Sequence, residues 1–139
     1  MMPKMRVWDR EEKRMWNVET IYIEDEYVKV NDGSIYGETK KLVRSYELMR
    51  STELKDKSNK EIYEGDIVRV LIKDEEPKIM KDKTYIGVVV YRFGSFDIKI
   101  SKDTYAGVIP EMNLTNHDYT FEVLGNIYEN PYLVNDKMN

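Results

Sequence analysis

The sequence predicts a mostly β protein, with short antiparallel strands in two lobes, the C-terminal one a small SH3-like barrel. Three observations lead there. Apolar residues fall mostly in short runs or in alternation, bounded by polar turns. Tyrosine occurs 11 times against 3 phenylalanines, which suits half-buried strand faces where a ring packs while its hydroxyl reaches water. Finally, five or so short strands crowd into about eighty C-terminal residues, joined by turns and one charged loop, and barrel closure would protect their edges.

The elements follow in chain order. MRVWDREEKRMW sets Val7, Trp8, Met15 and Trp16 on either side of a charged turn, residues 9–14, and reads as a strand, a polar loop and a return strand. In ETIYIEDEYVKVNDGSIYG the apolar groups 21–23 and 27–30 are separated by Glu24, Asp25 and Glu26, and NDG supplies a turn, so a meander continues. Residues 39–50 fit either a short helix, through Leu42, Tyr46 and Met49, or another strand. The polar tract LKDKSNK, residues 54–60, is the candidate boundary between an N-terminal β-rich lobe, 1–53, and a C-terminal lobe, 54–139.

Beyond it, residues 67–72 and 86–91 are nearly continuous apolar runs rich in β-branched residues, as expected of strands covered on both faces. KDEEPKIMKDK between them is a charged loop in which Pro77 opposes a continuous strand. RFGS turns the chain into FDIKI, where Phe96, Ile98 and Ile100 face one way and Asp97 and Lys99 the other. A loop follows around 107–116. YTFEVLGNIY is then a strand broken at Gly125 and Asn126, and ENP stops it.

Composition bounds the function. A chain of 139 residues can bury a modest core but excludes a large multidomain enzyme, and 41% hydrophobic with 35% charged residues excludes global disorder. A net charge of −4 offers no global attraction for the phosphate backbone of nucleic acid. The lack of cysteine removes disulfides, thiolate metal sites and cysteine nucleophiles, and fits a reducing compartment. The N-terminal residues lack the apolar core of a signal peptide and no apolar run approaches a membrane span, so a cytoplasmic location without membrane association is expected.

KEIYEGDIVRV, residues 60–70, concentrates Glu61, Glu64 and Asp66, a set that could bind a hard cation or act as an acid and base pair. Strand alternation does not converge them if Gly65 turns the chain. The favoured reading is structural: Gly65 adopts a conformation closed to other residues, and Asp66 bonds nearby amides as the strand begins. Glu24 to Glu26 and the pair Glu75 and Glu76 read as solvated turns. His117, the only histidine, reads as a loop residue within NLTNHDY. No P-loop, dinucleotide fingerprint, metalloprotease motif or zinc finger is present, so no catalytic residue, metal or cofactor is expected, and the chain is read as non-enzymatic. The candidate binding residues are Tyr91, Arg92 and Phe93. With Phe96 they bring rings and a cation around a Gly-Ser turn, as a peptide groove or a base-stacking platform would require. Phe96 itself is in phase with Ile98 and Ile100 and reads as core. Lys4, Arg6, Arg10, Lys13 and Arg14 could touch phosphate, diluted by Asp9, Glu11 and Glu12.

Three stretches taken together, MRVWDREEKRMW at 5–16, LKDKSNKEIYEGDIV at 54–68 and VLGNIYENP at 123–131, resemble the YopX family of phage and prophage proteins, in family order and over nearly the whole chain. The chain departs from the family pattern at two turn glycines: Glu53 replaces one and Asn59 the other, so the local turn at Glu53 is expected to differ from that of relatives. The resemblance implies a mostly β, oligomeric phage or prophage protein and supplies no catalytic residues. The leading expectation is therefore an accessory binding module acting on a host or phage macromolecule. Nucleic-acid binding through the 91–96 turn is the alternative, and a carboxylate-dependent metal hydrolase stands third.

Overall fold

The computed structural model describes residues 4–34, 37, 39–43, 46–74, 83–107 and 117–134. Among them the chain is mostly β, without an α-helix, and forms two antiparallel sheets. It divides into two compact units, Met1–Glu53 and Leu54–Asn139.

The first unit holds β1 (Met5–Asp9), β2 (Arg14–Tyr22), β3 (Tyr27–Asn31), β4 (Thr39–Val43) and most of β5 (Tyr46–Lys55). Their order in the sheet is β4-β3-β2-β1-β5. Residues 39–43 and 46–50, open between helix and strand in the sequence, are strands because β3 and β1 template them: Val28 pairs Leu42 and Arg6 pairs Met49. The core of this unit is Val7, Trp16, Val28 and Val30, with Val18, Ile21 and Tyr46 packed on it. Val7 and Trp16 are direct cross-strand partners, so the apolar residues flanking the charged turn meet face to face. That turn is built on Asp9, which is fully buried and whose Oδ1 accepts the N–H groups of Glu11 and Glu12 at 3.0 and 3.2 Å.

The second unit begins inside β5, whose end turns back into β6 (Glu61–Tyr63). It continues with β7 (Asp66–Asp74), β8 (Lys83–Arg92), β9 (Ser95–Ser101), β10 (Thr104–Gly107) and β11 (His117–Asn126), the last five in the order β10-β9-β8-β7-β11. Its sheet is covered on both faces. Val68, Val70, Val89 and Ile98 form one cluster with Ile62, while Ile67, Val88 and Val134 form the other. Neighbouring residues of β7 and of β8 therefore enter opposite cores, which is why these runs are apolar throughout. Phe96 and Ile100 pack on the first cluster.

Two local readings change. Residue 107, read as the start of a loop, is the last residue of β10, a four-residue strand too short to show a period. His117, read as a loop residue, opens β11 opposite Asp74. The charged stretch at 75–82, the rest of the loop at 108–116 and the C-terminal tail from 135 lie outside the described residues.

Candidate functional site

The β8–β9 hairpin carries the binding residues singled out in the sequence. Arg92 pairs Ser95, leaving a two-residue turn, Phe93 and Gly94, with φ of 52° and 80°. Positive φ at both central residues is the type I′ arrangement that matches strand twist, for which Asn-Gly is the preferred sequence. Here a phenylalanine occupies the first position, and the residue is 94% exposed.

Behind the turn the side chains sort by strand alternation. Tyr91 and Phe96 are cross-strand partners whose rings meet edge to face with centroids 5.0 Å apart. Phe96 leans on the core, whereas Tyr91 is 40% exposed. Arg92 points to the opposite face. Its Nε donates to Asp97 Oδ2 at 2.9 Å, its guanidinium lies 3.5 Å from the centroid of the Tyr105 ring, and Phe93 is 5.2 Å away. The tip thus brings Arg92 and Phe93 together with Tyr105 about a cation already matched by a carboxylate, while Tyr91 lies with Phe96 on the other face. Asp97 and Tyr105 were missed as members. Alternation puts Asp97 on the face away from Phe96, but nothing local ties Tyr105, beyond the next turn, to Arg92.

The acidic stretch has a different geometry. Gly65 has φ of 88° and is buried; its N–H donates to Val89 O at 2.8 Å and its carbonyl accepts from Ile127 N–H at 2.9 Å. Asp66 is 1% exposed, and its Oδ2 accepts the Tyr63 N–H at 2.8 Å, three residues back. The turn therefore uses Gly65 for its backbone and Asp66 as its anchor. Among the described residues no three acids or histidines gather as a metal site would require.

Asp56, in the LKDKSNK tract, is a carboxylate bonded through both oxygens. Oδ1 accepts from Ser58 and Lys60 N–H at 2.9 Å each, and Oδ2 accepts from Val123 N–H at 2.9 Å, on β11. Lys57 N–H adds a bond to Phe121 O at 2.8 Å. Burial by itself would raise the Asp56 pKa, but the amides of Val123, Lys60 and Ser58, with the Lys60 charge, outweigh it and hold the group below its ordinary 3.8. Asn59 closes the same turn with φ of 67°, as an asparagine can. Glu53 also takes a left-handed conformation, φ 64°, and its N–H donates to Ser51 Oγ at 2.9 Å.

The C-terminal motif is a third bonded turn. Asn126 Oδ1 accepts from Tyr128 and Glu129 N–H at 3.0 and 2.9 Å, and Asn130 Oδ1 accepts from Asn126 N–H at 3.1 Å. A Cβ at Gly125 would stand 2.3 Å from Asn130 Oδ1, so a larger residue there would have to displace the Asn130 side chain from its bond to the Asn126 N–H.

These features define a two-unit, all-β protein whose most recognisable motifs are turn-forming hydrogen-bond anchors. The chain belongs to the YopX family: the profile described as YopX protein matches residues 4–135. Among solved structures it is similar to the crystal structure of protein EF1440 from Enterococcus faecalis, at 29% identity and a TM-score of 0.61, over 96% of this chain and 99% of that one. No curated protein matches it. No helix among the described residues is long and apolar enough to cross a membrane.

Proposed function

We propose that this chain is a non-enzymatic accessory protein of a phage or prophage, acting in the bacterial cytoplasm, that binds a host or phage protein through the β8–β9 tip. In this reading residues 1–53 form an N-terminal β-rich lobe, residues 54–139 curl into a small SH3-like barrel that presents the tip, and the chain works as a homo-oligomer, a state taken from the family resemblance. One observation carries the binding role: Phe93 is 94% exposed and left-handed at once. Exposure forfeits the burial of an aromatic ring, and the left-handed backbone costs a β-carbon residue roughly 1 kcal/mol or more. A turn shaped by stability alone would hold Asn-Gly. An aromatic knob kept under both penalties is suited to fill an apolar pocket on another molecule.

Nucleic-acid binding is the second reading, favoured by rings and a guanidinium gathered at one turn. Arg92 weighs against it, because Asp97 matches its charge and Tyr105 covers its face, and the chain as a whole carries −4. The test is affinity capture from prophage-carrying cells with the wild-type chain and with Phe93→Ser, alongside titration with single- and double-stranded DNA and RNA at low and moderate salt. A protein held by wild type, lost with Phe93→Ser and insensitive to salt is the expected outcome. Salt-dependent nucleic-acid binding would replace the first reading with the second, and capture unaffected by Phe93→Ser would remove the tip from both.

A further inference from the structure

We draw no further inference here: the strongest candidate, the surface patch at the turn between β2 and β3, where Ile23 is 83% exposed beside Tyr22 and the acidic residues Glu24, Asp25 and Glu26, carries nothing because nothing in the structure shows what covers it.

Discussion

Two turns of the second unit, the one after Asp56 and the one at Phe93, solve the same geometric problem with opposite chemistry. Each needs a residue at positive φ, supplied by Asn59 in one and by Phe93 followed by Gly94 in the other. The first is wired into the sheet: Asp56 serves three backbone amides, one of them 67 residues away. The second has a bulky ring in the strained position and holds it in solvent. Residues at the first turn serve folding, and the residue at the second acts against it. The proposed binding role therefore falls at the turn whose sequence suits the fold least, away from the bonded turn motifs.

The largest effect that would break this contrast is at Asp56. Asp56→Ala leaves the amides of Ser58, Lys60 and Val123 without their acceptor and should lower stability by about 3 kcal/mol in urea denaturation. A loss under 1 kcal/mol would mean the turn is not an anchor. The same carboxylate sets a pH dependence. Its folded pKa is depressed, so its stabilising contribution is present above the ordinary value of 3.8 and is lost as pH falls through the lower folded value. Asp56→Asn, which keeps one acceptor oxygen and does not titrate, should flatten that acid limb in denaturation curves taken across pH 2 to 5, a window bracketing the ordinary value.

Gly65→Ala comes next. A Cβ at φ 88° is strained in a residue that is buried and bonded to both Val89 and Ile127, so a loss of roughly 1–2 kcal/mol is expected. An unchanged melting curve would contradict the turn geometry.

How much was legible beforehand follows the same division. Alternation in FDIKI and the two-sided apolar runs announce strands because burial acts residue by residue, and the core places Phe96 and Val89 accordingly. Asp-Lys-Ser-Asn and Glu-Gly-Asp announce turns because their chemistry is local. What the sequence hides is long-range. The bond from Val123 to Asp56 and the stacking of Arg92 on Tyr105 join segments that no short motif links. β10 is too short for a period, and residues 39–43 and 46–50 became strands through their neighbours rather than through their own spacing. Phe93 was legible as a turn-adjacent aromatic residue, while its exposure and backbone strain belong to the structure.

The opposite sign is expected at the tip. Phe93→Asn replaces a strained, exposed ring with the residue preferred by a type I′ turn, and should stabilise the chain by about 0.5–1 kcal/mol while weakening capture of the partner. Calorimetry and capture on the same preparation check both halves. A variant both less stable and still binding would reverse the assignment of the two turns.

The smallest effect tests whether strain alone marks function. Glu53 is also left-handed, at φ 64°, yet its side chain forms no aromatic knob and its amide is held by Ser51 Oγ. If strain without such a knob is only a residue of sequence drift, Glu53→Gly should relieve about 1 kcal/mol of backbone strain against a somewhat smaller entropic cost of glycine in the unfolded chain. The net gain is about 0.5 kcal/mol in urea denaturation, with partner capture unchanged. A gain accompanied by lost capture would place Glu53 in the binding surface as well, and left-handed strain would then track function at both positions. Without lost capture, the distinguishing property of Phe93 is the exposed ring, and the backbone strain is the consequence of putting it there.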